Sequence, residues 1–112
     1  IVIRPHLNQI SFISTSDSNI LVKAGAGVSM DYLIEWCLTR NIIGLEEFSG
    51  IPGTVGGSVF INLHYFEFLL SQFLVSAEII DKTTGIVSTV DHSWFQFGYD
   101  YSALHTRRQY LI

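Results

Sequence analysis

The sequence predicts an α+β domain. Several short apolar runs read as strands, one segment reads strongly as a helix, and the regular strand–helix–strand alternation of a parallel α/β fold is missing. The sheet is expected to be mixed or antiparallel, with helices flanking it.

Taken in order, Ile1-Val2-Ile3 and Ile10-Ser11-Phe12-Ile13 read as short strands, and the polar residues Ser14 to Asn19 as a turn. Ile20 to Ala24 is a strand of buried type that stops at Gly25-Ala26-Gly27, either a tight turn or a point of ligand approach. Ser29 to Arg40 is the clear helix. Ser29 is a good N-cap, Asp31 suits the positive end of the helix dipole, and Arg40 suits the negative end. Met30, Leu33, Ile34, Cys37 and Leu38 recur at helical spacing as one apolar stripe. Val59-Phe60-Ile61 fits a helix or a buried strand, and Tyr65 to Phe73 is aromatic and nearly uncharged. Leu74 to Asp81 and Ile86 to Val90 read as a hairpin around Lys82-Thr83-Thr84-Gly85. Asp91 can cap a short helical turn through Phe95, and Gln109 to Ile112 is a last strand.

The chain has 112 residues and is 48% hydrophobic, enough for one small core. Only 14% of residues are charged, against an average of about 25%. So little charge implies that a missing part of the chain, a partner or a cofactor covers some apolar surface. The net charge of −4, with no basic tract, argues against nucleic acid. No apolar run reaches the roughly 18 residues of a membrane span. Cys37 is the only cysteine, so no internal disulfide forms and a reducing cytoplasm suits the chain. It is expected to be a core residue rather than a reactive thiol. His6, His64, His92 and His105 are scattered, which offers no metal site. Asp91 and Asp100 do not read as an acid/base pair, and no nucleophile with its partners is visible.

The stretch Ser49-Gly50-Ile51-Pro52-Gly53-Thr54-Val55-Gly56-Gly57-Ser58 is the most informative one. Its glycines allow unrestricted φ and let another group approach the backbone without meeting a Cβ. Bare N–H groups in such a loop suit an anion such as a diphosphate, and Pro52 limits its motion. The residues alone leave two readings open, a complicated turn or a ligand cradle.

The segment Gly44 to Gly57 resembles the hallmark of the UDP-N-acetylenolpyruvoylglucosamine reductase (MurB) family. The order around it is similar too: Gly25-Ala26-Gly27 and the helix from Ser29 before it, Asn62 after it, then a strand, then Phe97-Gly98-Tyr99 and Ser102. The resemblance covers about Val22 to Ser102. It implies the second half of a vanillyl-alcohol-oxidase/PCMH-type FAD-binding domain, with residues 1–20 the tail of the first subdomain and 21–112 the second. By the same resemblance, the substrate-binding C-terminal domain is expected to lie outside these residues. It also implies an oxidoreductase of peptidoglycan synthesis that uses FAD and NADPH to reduce the enolpyruvyl group of UDP-N-acetylglucosamine enolpyruvate. Ser49, Gly50, Ile51, Gly53, Thr54, Gly56, Gly57 and Asn62 would then contact the cofactor, and Tyr99 and Ser102 the substrate. The family's catalytic serine and late glutamate match no residue here.

Two departures accompany the resemblance. The family has arginine after its tyrosine, and this chain has Asp100 after Tyr99. An anion there reverses the interaction with a substrate carboxylate. After Asn62 the family runs into small residues, whereas this chain has Leu63-His64-Tyr65-Phe66-Glu67, either altered packing or new contacts. A non-catalytic FAD-domain relative acting as a binding module, or another flavin oxidoreductase of the same fold, are the alternative functions.

Overall fold

The computed structural model describes residues 7–16 and 19–112. The expected strand at Ile1 to Ile3 lies outside them. The described chain is α+β, and its strands pair only antiparallel. It divides into two compact units, 1–55 and 56–112.

In the first unit β1 (Ile10–Thr15) and β2 (Ile20–Ala24) form a hairpin. The polar turn expected from Ser14 is shorter than its composition suggests, because Ser14 and Thr15 pair with Leu21 and Ile20. The register shifts between Phe12 and Ser14, a bulge that lets the polar end of the strand stay on the ladder. Helix α1 (Met30–Leu38) starts as its sequence requires: the Ser29 side chain accepts from the Tyr32 N–H at 3.2 Å. Met30, Leu33, Ile34 and Cys37 are buried. Leu38, expected on the same stripe, is 45% exposed, since it stands one residue further round the helix than Cys37. Beyond the helix, Asn41 is left-handed at φ 58, a conformation that asparagine tolerates. Arg40 folds back over the Trp36 ring, 4.0 Å from its centroid, and donates to the Trp36 carbonyl at 3.1 Å. Val28, Leu33 and Cys37 form a buried cluster, with Val22, Trp36 and Val55 among the residues packed on it. Burial pushes the Cys37 thiol above its usual pKa, which suits a core residue.

The Gly25-Ala26-Gly27 segment is a tight turn, closed by a Val28 N–H to Gly25 carbonyl bond of 3.0 Å. What approaches Gly25 is the chain itself: a Cβ there would stand 2.7 Å from the carbonyl carbon of Leu7.

In the second unit the ambiguous apolar run is helical: α2 (Val55–Phe60) carries the glycine motif into it. The aromatic stretch beyond forms a small hairpin of β3 (His64–Tyr65) and β4 (Phe68–Leu69). β5 (Ser76–Asp81) is the centre of a three-stranded sheet, between β6 (Val87–Asp91) and β7 (Gln109–Leu111). The β5–β6 turn is fixed by Asp81, whose Oδ1 accepts from the Thr83 and Thr84 N–H groups at 2.8 Å each. Asp91 caps the 3₁₀ turn His92–Phe95, accepting from the Trp94 N–H at 3.2 Å. Phe95 has no exposed surface and stacks on Phe97 at 5.1 Å and 8°.

These bonds favour the ionised carboxylates. Backbone N–H donors hold Asp81 below the usual aspartate range, and Ser93 with the Trp94 N–H does the same for Asp91. A depressed folded-state pKa means that the unfolded chain takes up protons first as pH falls. The stabilisation is therefore complete above the unfolded aspartate pKa of about 3.9 and is lost as pH drops through the lower folded values. Asp81→Asn keeps an acceptor but removes the titration. Urea midpoints measured from pH 6 to pH 2.5 are expected to fall less steeply for this variant than for the parent; parallel curves would refute the assignment.

Candidate functional site

The division between the two units falls within the glycine motif, after Val55. In the first unit a 3₁₀ turn, Glu46–Phe48, leads into the loop. Glu46 accepts from the Gly44 N–H at 2.5 Å, which lowers its pKa. Phe48 has no exposed surface and anchors the turn. The Ser49 N–H donates to the Glu46 carbonyl at 3.0 Å, and the Ile51 N–H to the Phe48 carbonyl at 3.2 Å. Beyond Pro52 the loop is stapled to the start of α1. The Met30 N–H, an orphan donor of the first helical turn, donates to the Gly53 carbonyl at 2.9 Å. Thr54 pairs with Ser29 as an antiparallel bridge, and the Val55 N–H donates to the Val28 carbonyl at 2.8 Å.

Two of these glycines occupy conformations that side-chain-bearing residues rarely adopt, Gly50 at φ 81 and Gly53 at φ 140. A Cβ added at either would meet no atom within 4 Å. The loop is thus bonded to its own unit yet open beside these two backbone positions. Ser49, Gly50, Gly53 and Thr54 are exposed, and Ile51 is half-buried. A flat or anionic ligand could lie along such a backbone, so the residues present fit a cofactor diphosphate or ring. Gly56 and Gly57 stand in α2, where the Gly57 carbonyl accepts from the Ile61 N–H at 3.3 Å.

In the second unit the other expected residues gather around one turn. The Gly98 and Tyr101 backbones bond to each other, N–H to carbonyl in both directions, at 3.0 and 3.3 Å. Tyr99 and Asp100 form the corner between them, with Asp100 left-handed at φ 49. Tyr99 is 83% exposed. Asn62, also left-handed at φ 50, braces this turn from below: its Nδ2 donates to the Gly98 carbonyl at 3.0 Å. Its Oδ1 accepts from the Ser71 N–H at 3.2 Å. The amide expected to face a cofactor is therefore engaged within the protein on both of its ends. Ser102, expected on the substrate side, has no exposed surface and donates to the Phe60 carbonyl at 2.7 Å. That carbonyl, at the end of α2, also lies 3.0 Å from His105 Nε2, and the His105 ring stacks on Phe60 at 4.1 Å.

Asn62→Ala removes both bonds and puts a Cβ-bearing residue without a polar end at positive φ, whereas Asn62→Gly removes the bonds but relieves the backbone. The alanine variant is expected to lose about 2 kcal/mol and the glycine variant about 1 kcal/mol. Urea denaturation of the two variants separates these effects; equal losses would show that the backbone carries no strain.

In the sequence His64 is one of four scattered histidines and part of a departure from the family pattern. Here its Nδ1 lies 3.3 Å from Asp100 Oδ1, and its ring sits 5.2 Å from that of Tyr99. Nothing in residue spacing signals this meeting, because a β-hairpin and a distant turn bring it about. Among the described residues no group of three or more His, Cys, Asp and Glu could hold a metal ion. Among them, too, no helix is long and apolar enough to cross a membrane.

No family model matches the chain. Individual proteins do. The UDP-N-acetylenolpyruvoylglucosamine reductase of Treponema denticola is 35% identical over 98 residues, 88% of this chain and 30% of that protein. The reductase of the same name from Lactococcus lactis is 34% identical over 91 residues, 81% of this chain and 30% of that protein. The crystal structure of the enzyme from Thermus caldophilus superimposes with a TM-score of 0.69 at 26% identity, over 79% of this chain and 32% of that one. The chain thus spans about a third of the length of the relatives it matches. Over that span, in sequence and in fold alike, it belongs to the UDP-N-acetylenolpyruvoylglucosamine reductase family.

Proposed function

We propose that this chain is the cofactor-cradling part of a reductase that acts on UDP-N-acetylglucosamine enolpyruvate in cytoplasmic peptidoglycan precursor synthesis. In this reading residues 21–112 are the second subdomain of the FAD-binding domain and 1–20 the tail of the first. The observation that carries it is the Ser49–Thr54 loop, where the family motif coincides with left-handed glycines whose outer side is open.

Gly50, Gly53 and Thr54, flanked by Ser49 and Ile51, would hold FAD through backbone groups and one hydroxyl, with Gly56 and Gly57 doing so from α2. When bound, FAD supplies the redox chemistry that links NADPH to the enolpyruvyl group. The protein's own part is placement. The bonds from Met30 and Val55 keep the loop in one conformation, so little entropy is lost when a ligand settles on it. Asn62 holds the Gly98–Tyr101 turn, and that turn offers the Tyr99 phenol to the substrate. Ser102 supports the end of α2 from within rather than by touching substrate.

The test uses the full-length protein that carries this chain: load it with FAD, remove unbound flavin by gel filtration, and add NADPH with UDP-N-acetylglucosamine enolpyruvate. Retained flavin absorbance and substrate-dependent loss of NADPH absorbance are expected. Asp100 favours one second reading, a flavin-binding relative without reductase activity, which predicts retained flavin and no NADPH loss. Oxygen consumption with other substrates would instead mark a different flavin oxidoreductase of the same fold. Failure to retain flavin would remove all three.

A further inference from the structure

Helix α2 is weak on its own account. It has six residues, two of them glycine. Glycine is a poor helix former, and a helix shorter than about 12 residues is marginal without tertiary support. The last four carbonyls of a helix need partners from beyond its own turns. Here the next residues of the chain serve three of them. The Ile61 N–H donates to the Gly57 carbonyl at 3.3 Å, the Leu63 N–H to that of Ser58 at 2.8 Å, and the Asn62 N–H to that of Val59 at 3.1 Å. The fourth carbonyl, on Phe60, finds its partners far along the chain. They are the Ser102 hydroxyl at 2.7 Å and His105 Nε2 at 3.0 Å.

A carbonyl oxygen only accepts, so His105 Nε2 carries the proton and donates it to this bond. The His105 ring also lies on the Phe60 ring, with 4.1 Å between centroids and 14° between planes. One side chain thus grips Phe60 twice, by its backbone and by its ring. His105 is itself fixed by the 3₁₀ turn Ala103–His105, in which Ala103 and Leu104 are buried. It stands beyond the stretch that resembles the family, which ends near Ser102. We propose that His105 is a positioning residue for the cofactor. Together with Ser102 it holds the end of α2, and through that helix it keeps the Gly56 and Gly57 backbone in the conformation that receives the flavin. It acts through Phe60 and not by touching the cofactor. This inference rests on the functional reading above, which sets FAD against Gly56 and Gly57.

Three variants of the full-length protein that carries this chain test the proposal. His105→Phe keeps a ring against Phe60 but has no donor, and His105→Gln restores an N–H at similar reach. Gly85→Ala, in the β5–β6 turn, is the control for lost stability alone. Titration with FAD, followed by flavin fluorescence, is expected to show His105→Phe binding about fivefold more weakly than the parent, because α2 is then less often in the binding conformation. His105→Gln and Gly85→Ala are expected to stay within about twofold of the parent. Without flavin, the Ile61 amide should exchange with deuterium about threefold faster or more in His105→Phe, while the amides of β5 keep their rates. The inference fails, with the functional reading left standing on the parent's own FAD binding, on any of four results. These are parent-like FAD binding by His105→Phe, no rescue by His105→Gln, an equal loss in Gly85→Ala, or unchanged exchange at Ile61. If the parent itself does not bind FAD, the functional reading and the role of His105 fall together.

Discussion

Truncating Phe48 to alanine is expected to lower the unfolding free energy by about 3–5 kcal/mol, the cost of removing a fully buried aromatic side chain and leaving a cavity. Phe48 has no exposed surface. Its backbone carbonyl accepts from the Ile51 N–H at the base of the glycine loop, so loss of its anchorage should also loosen the proposed cradle. Against a natural stability of roughly 5–15 kcal/mol such a loss is severe. Phe48→Leu keeps most of the volume and should cost less than about 1.5 kcal/mol. Thermal melts of the two variants check this. A drop of 10 °C or more is expected for alanine, since each kcal/mol moves the Tm of a small domain by about 4–8 °C. A melt of Phe48→Ala within about 3 °C of the parent would show that burial at this position contributes little. The same variants, titrated with FAD at a temperature where both are folded, should rank alanine weakest.

The second large effect separates a cradle from a turn. Gly50 and Gly85 are matched: φ 81 and φ 70, each with no atom within 4 Å of an added Cβ. Alanine at either position must adopt a left-handed conformation, at a cost of about 1 kcal/mol. Only at Gly50 would the new methyl group stand in the space proposed for a cofactor. Gly50→Ala is therefore expected to weaken FAD binding by more than about tenfold, whereas Gly85→Ala loses the same stability with flavin affinity unchanged. Equal flavin affinity in the two variants would reduce the loop to a connection. Weakened binding in both would mean that affinity tracks stability alone.

The parts of this protein legible in its sequence are those set by neighbours along the chain. Ser29 caps α1 because a hydroxyl three residues before an orphan N–H reaches it whatever the rest of the fold does. Asp81 and Asp91 fix their turns for the same reason. The glycine loop is legible because glycine adopts a positive φ at the least cost, and Gly50 and Gly53 both have one. Less was legible where an outcome depended on distant partners. By its sequence the run Val59 to Ile61 fits a helix or a strand, because short apolar segments satisfy either period, and the fold makes Val59 and Phe60 the end of α2. The hairpin within the aromatic stretch leaves no mark in the sequence, since two-residue strands carry almost no periodicity. The family pattern implies Asn62 at the cofactor and Ser102 at the substrate, but residue spacing does not give the direction of their side chains. Their hydrogen bonds run to Phe60, Gly98 and Ser71, and burial turns both away from solvent.

By itself, the sequence determined the α+β class, the capped helix and the family, through a motif whose glycines are demanded by local backbone geometry. Only the tertiary structure decided how the charged and polar residues are used. Packing brought His64 onto Asp100 and placed Asn62 beneath the Tyr99 turn. It also left the outer side of Gly50 and Gly53 open. These contacts join residues far apart along the chain, and no local rule of spacing or propensity encodes which distant groups will meet.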